Sequence, residues 1–278
     1  MINNALTIDV EDYFQVSAFA SHIDRATWDA CECRVARNVE RILKILDEHN
    51  VKATFFTLGW VAERYPDVVR LIVADGHELA SHGYGHQRVS DLNAQQFSAD
   101  IIRAKSILED ISGVQVIGYR APSFSIGAKN RVWAFECLAE AGYRYSSSVY
   151  PVKHDHYGMP DAPRFAHEAH PSLMEVPPTT VRAFARNWPA SGGGYFRLMP
   201  YALSRQLISR VNQVDGQAAV FYFHPWELDK EQPRIAGISA KTKFRHYVNI
   251  SRMENRLRRL LNDFQWGRMD HIFLPSCS

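Results

Sequence analysis

Short apolar runs alternate with amphipathic stretches along most of the chain. Ala5-Leu-Thr-Ile-Asp-Val10 reads as a buried strand, and Val35, Val39, Ile42, Leu43 and Leu46 then recur at helical spacing, predicting a helix to about His49. Lys52 to Leu58 is rich in β-branched and aromatic residues and predicts the next strand. Pro66 suits a first helical turn, and Asp75-Gly76 marks where that helix stops. Glu78 to Ser81 predicts a strand, and Asn93-Ala-Gln-Gln96 predicts a capping box opening a helix to about Ile111. Val116 to Tyr119, Tyr143 to Ser147, Leu173 to Val176 and Ala218 to Phe223 are further strand candidates. Helices are expected through Trp133 and Leu138, over Tyr201 to Val214, and over Glu254 to Phe264.

Strand and helix in alternation imply a parallel sheet, with polar residues gathered just after the strands, where α/β sites lie. The expected fold is α/β: an irregular (β/α) barrel, a distorted TIM-like barrel of about seven strands, with a C-terminal extension. The expected domains are a catalytic barrel over 1–228 and an extension packed on it over 229–278.

Composition narrows the functional classes. A formal charge of +2 over 278 residues argues against a dedicated nucleic-acid surface. No apolar run reaches transmembrane length. Met1-Ile-Asn-Asn-Ala lacks a basic leader region, and Asp9 breaks the first apolar run, so a cytoplasmic protein is expected. Cys31, Cys33, Cys137 and Cys277 have no zinc-knuckle spacing and read as reduced thiols.

His82-Gly-Tyr-Gly-His86 carries the sharpest chemistry. Two imidazoles four residues apart can reach one metal ion across a single turn, although twelve histidines in the chain make an accidental pair unremarkable. Gly83 and Gly85 disfavour a long helix there, so a tight turn is expected. Asp9-Val-Glu-Asp12 supplies carboxylates after the first strand. Asp9 and Glu11 share strand parity, and one carboxylate can bind a metal while another deprotonates water. Such a two-histidine, one-carboxylate site suits zinc, and also cobalt, iron or manganese. Arg120 follows a strand and can orient a carboxylate. His224 closes Phe221-Tyr-Phe and precedes Pro225, on the same rim.

Together these residues resemble the polysaccharide deacetylases of the NodB-homology type, carbohydrate esterase family 4, over roughly residues 5 to 227. Thr7 to Asp12, His82 to His86, Arg120-Ala-Pro122, Tyr145-Ser-Ser-Ser148 and Phe221 to His224 resemble the family's five motifs, in order. The Gly192-Gly-Gly-Tyr-Phe-Arg197 loop, His224-Pro-Trp-Glu227 and the segment from Gln232 to Phe264 resemble a subfamily encoded with bacterial exopolysaccharide and exosortase loci. The resemblance implies Asp9 as catalytic base, His224 as catalytic acid, Arg120 steering the base, and His82 and His86 holding one divalent metal. The first motif departs from the commonest form, which has two adjacent aspartates. Glu11 and Asp12 both stay open as the metal carboxylate, with the spacing favouring Glu11. The fourth motif lacks its acidic residue, which leaves the partner of His224 unassigned.

The implied activity is metal-dependent removal of N-acetyl groups from hexosamines of a bacterial polysaccharide or its lipid-linked precursor, near membrane-side polysaccharide assembly. Trp226, Tyr195 and Pro122 are the candidate sugar-contacting residues, with Phe196 equally suited to the core. An amidase of a small ureide or cyclic amide, and a non-catalytic sugar-binding module, are the alternatives. Glycan identity and oligomeric state are not encoded in any of these motifs.

Overall fold

In the computed structural model, which describes residues 1–153 and 158–274, the predicted alternation becomes a curled sheet wrapped by helices. A long connection leads from β1 (Asn3–Val10) to α1 (Val35–Glu48), and β2 (Thr54–Thr57), α2 (Gly59–Arg64), α3 (Pro66–Ala74) and β3 (Glu78–Ser81) follow. The alternation continues through α4 (Ala94–Ser112), β4 (Gly118–Tyr119), α5 (Arg131–Glu140) and β5 (Tyr145–Ser146). The next stretch is less regular: β6 (His167–His170), β7 (Leu173–Glu175), a hairpin of β8 (Thr180–Ala183) and β9 (Arg186–Pro189), α6 (Gly193–Leu198), α7 (Tyr201–Gln213) and β10 (Val220–Phe223). Last come α8 (Ala240–Tyr247), α9 (Ile250–Asp263), β11 (Gln265–Gly267) and α10 (Met269–Phe273).

The sheet runs β10-β1-β2-β3-β4-β5-β7-β6. Every pairing from β10 to β7 is parallel, which makes seven parallel strands, and β6 turns back antiparallel at the edge. The irregular barrel is thus present as a curled half-barrel. Thr179, just past β7, ties the chain back to β10: its Oγ1 accepts from Val220 N at 2.5 Å and its N–H donates to Val220 O at 3.3 Å.

Local chemistry explains the boundaries. Pro66 opens α3, and Gly76 stops it with φ of +78°. Asn93 and Gln96 form the expected capping box on α4. β1 is buried from Asn4 onward, as a central strand covered on both faces must be. Parallel strands bring their C-terminal ends to one rim. Level register (Ile8 with Phe223, Ser81 with Tyr119, Tyr119 with Ser146) sets the residues after them side by side.

Residues 229–274 join this architecture. Met253, Leu257, Leu260 and Leu261 of α9 enter the main core, and β11 pairs in parallel with the start of β1. Each such buried side chain stabilises by about 1.5–3 kcal/mol, so the four together are comparable with the net stability of a domain. Cys31, Cys33 and Cys137 are free, and Cys277 lies outside the described residues. Among the described residues no helix is long and apolar enough to cross a membrane.

Candidate metal centre and active site

β1 ends at Val10 and the backbone turns at once, Glu11 N donating to Asp9 O at 3.0 Å. The turn, rather than continued strand parity, brings both Asp9 and Glu11 to the rim. Asp12 goes elsewhere. Its Oδ1 accepts from Tyr13 N at 2.7 Å and its Oδ2 accepts from Arg34 N, so it caps the next turn and joins it to the start of α1. Burial pushes its carboxyl up to about 6 despite those backbone donors. Between the two carboxylates open as metal ligand, only Glu11 lies with the histidines.

The histidine loop is built by its glycines and neighbours. Gly83 takes φ of +73°, and a Cβ there would lie 2.7 Å from Asp100 Oδ2, which accepts from Tyr84 N at 3.0 Å. Gly59 N and Trp60 N at the start of α2 donate to Gly83 O and Tyr84 O at 2.9 and 3.0 Å. The result is the tight turn that the sequence predicts.

Donor atoms of Glu11, His82 and His86 fall within 4.8 Å of one another, all three side chains buried. His82 Nδ1 lies 2.8 Å from Arg120 O; a carbonyl only accepts, so Nδ1 carries the proton and Nε2 is left with a free lone pair. His86 Nε2 is 2.7 Å from Glu11 Oε2, a buried oxygen with no hydrogen-bond partner of regular geometry. A buried oxygen so placed between two imidazoles fits a divalent cation. Burial alone would raise the Glu11 carboxyl, but the surrounding histidines outweigh it and hold it at about 2.

Asp9 is held from one side. Arg120 Nη1 donates to Asp9 Oδ1 and to Thr7 Oγ1, both at 2.7 Å. Its Nη2 donates to Ser147 Oγ at 2.9 Å, and its Cζ lies 4.1 Å from the Phe56 ring centroid. Arg120 is fully buried with its polar atoms committed, so it is a fixed support for the carboxylate.

On the opposite side His224 points Nε2 at Asp9 Oδ2 (3.9 Å) and Glu11 Oε1 (3.6 Å). Its Nδ1 is 2.7 Å from Glu227 Oε1, and its backbone N–H donates to the same oxygen at 3.1 Å. Glu227 in turn accepts from Arg197 Nε at 2.7 Å, and Arg197 Nη1 donates to the carbonyls of His246 and Val248 at 2.8 and 2.7 Å. Both Glu227 and Arg197 are buried, and a Cβ on Gly193 would sit 2.1 Å from Glu227 Oε1, so the first turn of α6 must carry glycine there. Burial would lower His224, but the charges of Glu11 and Glu227 raise it to about 9. Burial would raise Glu227, but Arg197 and His224 hold it at about 2.

The remaining sequence candidates separate. Trp226 is not an open sugar platform: it is sandwiched between His224 (5.2 Å) and His246 (4.1 Å), and its Nε1 donates to Glu11 Oε1 at 3.3 Å. Phe196 packs in the core against Tyr201 and Phe221. Tyr195 is half-buried on α6, and Pro122 is buried at the start of a short 3-10 turn with its carbonyl accepting from Ser125 Oγ at 2.7 Å. Sequence reasoning assigned no role to Glu227, Arg197 or His246. The signal for Glu227 was its place three residues after His224, across Pro225, the spacing of a capping box. In the fourth motif Glu175, from β7, accepts from Ser148 N and Val149 N at 2.8 Å, so an acidic residue from another strand occupies that corner.

A curled parallel barrel with imidazoles and carboxylates on its C-terminal rim defines a broad class of α/β proteins, and comparison narrows it. Residues 25–146 match the family described as Polysaccharide deacetylase, and residues 147–274 match a domain of unknown function, DUF3473. A peptidoglycan-N-acetylglucosamine deacetylase of Bacillus cereus is 36% identical over 96 residues, 34% of this chain and 35% of its own length. A chitooligosaccharide deacetylase of Azorhizobium caulinodans is 34% identical over 82 residues, 29% of this chain and 39% of its own. The matched stretches thus span about a third of the length of the curated relatives. A crystal structure assigned as a polysaccharide deacetylase from Mycobacterium smegmatis superposes with TM-score 0.63 at 22% identity, covering 97% of this chain and 88% of that one. A family 4 pseudoenzyme from Bacillus anthracis has TM-score 0.51 at 14% identity, covering 98% and 65%. Over residues 25–146 the chain is thus similar to polysaccharide deacetylase domains, and its whole fold is that of the solved relatives.

Proposed function

We propose that this protein is a metal-dependent hydrolase that removes N-acetyl groups from hexosamines of a bacterial polysaccharide or its lipid-linked precursor. The observation that carries this reading is the juxtaposition of the Glu11, His82 and His86 donors with Asp9 on Arg120 and His224 on Glu227. Glu11, His82 and His86 would hold one divalent ion, zinc first by donor set. When bound, the ion supplies a Lewis acid for the acetamide carbonyl. Asp9, fixed at Oδ1 by Arg120, takes the proton of the attacking water at Oδ2. His224, with its Nδ1 on Glu227, gives its Nε2 proton to the departing amine. One proton is taken and one given, and acetate and a free amino sugar leave. Trp226 sets the distance between these groups by contacting both Glu11 and His224.

The test joins metal analysis of the purified chain with an acetate-release assay on N-acetylated sugars. About one divalent ion per chain with acetate release supports the reading. Binding of the sugars without acetate release, in protein that holds the ion, makes it a sugar-binding pseudoenzyme.

A further inference from the structure

The C-terminal extension turns a strongly charged surface outward. Between Glu231 and Glu254 the chain holds no acidic residue, while Arg234, Lys241, Lys243, Arg245 and Arg252 are basic. The whole chain carries 32 basic against 30 acidic side chains, so the remainder is net acidic and the positive charge is local to this stretch. All of these cations are exposed, and among the described residues none of them pairs with a carboxylate. Arg234 Cζ lies 4.0 Å from the centroid of the Tyr247 ring, which holds that cation against α8.

α8 itself is firmly held. Ser239 Oγ accepts from Thr242 N at 3.1 Å and caps its start. His246 is buried on its inner side, stacked on Trp226, with Nε2 2.7 Å from Gln232 Oε1. Helical spacing puts Phe244 on the side opposite His246, with Ala240 and Lys241 one turn before it and Lys243 and Arg245 on its flanks. Phe244 is 58% exposed, so the helix offers solvent one aromatic ring bordered by unpaired cations. A second copy presenting the same face would set like charges together. An anionic bilayer answers both features, with phosphates for the cations and an apolar layer for the ring.

We infer that the outer face of α8 is a docking surface for the anionic face of a lipid bilayer. Lys241, Lys243 and Arg245 meet the headgroup phosphates, and Phe244 enters the interfacial layer between them. Such binding is peripheral, reversible and screened by salt. A docked chain keeps its rim one helix away from the lipid, since α8 rests on Trp226 through His246 and Trp226 donates to Glu11.

The experiment sediments the full chain with vesicles of equal parts phosphatidylglycerol and phosphatidylcholine, and with vesicles of phosphatidylcholine alone, at about 0.1 M and about 0.5 M salt. The anionic vesicles should bind it about tenfold or more tighter at the lower salt, and the difference should close at the higher. Lys241→Gln with Lys243→Gln should weaken that binding about twentyfold, because each cation at an anionic surface is worth about fivefold. Phe244→Ser should weaken it about tenfold. Arg182→Gln with Arg186→Gln removes the same charge from the β8–β9 hairpin and should change binding by less than about twofold. All of these residues are exposed, and thermal melting of each variant checks the fold. No sedimentation with the anionic vesicles, equal binding to both kinds, or a loss in the hairpin variant matching that in α8 overturns the inference. So does binding of a soluble DNA duplex as tight as that of the anionic vesicles, with Phe244→Ser weakening neither.

Discussion

His82 and His224 leave the same rim from β3 and β10, yet their imidazoles end in opposite states. Burial lowers His82 to about 4, against the neighbouring carboxylates, and its Nδ1 proton goes to the neutral carbonyl of Arg120. Burial also works to lower His224, but Glu11 and the carboxylate of Glu227 on Nδ1 raise it to about 9. Glu11 faces the Nε2 of His224 and raises it most, and the two rings differ further in what each meets at Nδ1. A carbonyl there leaves a neutral ring with a lone pair for a metal, and a carboxylate leaves a protonated ring that can act as an acid. Glu227 owes its own state to Arg197, so the proposed acid station is assembled from β10, the turn after it and α6, with carbonyls around the end of α8 holding Arg197.

The largest effect should come from removing the neutral station. His82→Ala with His86→Ala should lose the bound ion and acetate release together, with the melting profile largely kept, by elemental analysis and assay. Stoichiometric ion in the double variant would place the metal elsewhere.

Asp9→Asn should keep the ion and lose turnover by roughly a hundredfold or more, the scale of a general base. Normal turnover in that variant would remove Asp9 from the role.

Glu227→Gln should sharpen the comparison directly. With the carboxylate gone, His224 should titrate well below the native value of about 9 in metal-free protein, read by NMR of the imidazole. Turnover should fall about ten- to a hundredfold with the ion retained, and the uncompensated Arg197 should destabilise the fold by about 3–5 kcal/mol. The acid form of His224 exists below its pKa, so native turnover should fall as pH rises toward 9, earlier once a cation on Glu11 screens the charge that raises His224 most. An unshifted His224 in Glu227→Gln would break the comparison.

The smallest contrast separates the two adjacent carboxylates. Glu11→Ala should weaken metal affinity more than Asp12→Ala, whose main cost should be about 1 kcal/mol of stability from a lost cap. The reverse order of affinities would move the ligand to Asp12.

The elements most legible in the sequence were those whose own residues decide them. Pro66 to Ala74 forms over the residues expected, because a proline at the first turn and a glycine stop act locally, and Glu78 to Ser81 forms the strand expected after that stop. The β8–β9 hairpin, α6, α8 and β11 carried no period long enough to read. Trp226 was read as a sugar wall because aromatic residues near a site often are one, but stacking by His246, from a helix twenty residues later, closes its second face.

By itself the sequence determined the inventory and its order: a strand closing on Asp9-Val10, two histidines separated by glycines that force a turn, an arginine and a late histidine each after a strand. These follow from local propensity, side-chain chemistry and the rule that parallel strands share one functional rim. Tertiary structure alone decided which carboxylate faces the imidazoles and which charges stand behind His224. Glu11 joins His86, while Asp12 turns to the N–H of Arg34, and Arg197 reaches Glu227 from thirty positions away. The physical reason is that a buried charge must find its counter-charge or donors in space, and that partner is set by packing rather than by distance along the chain.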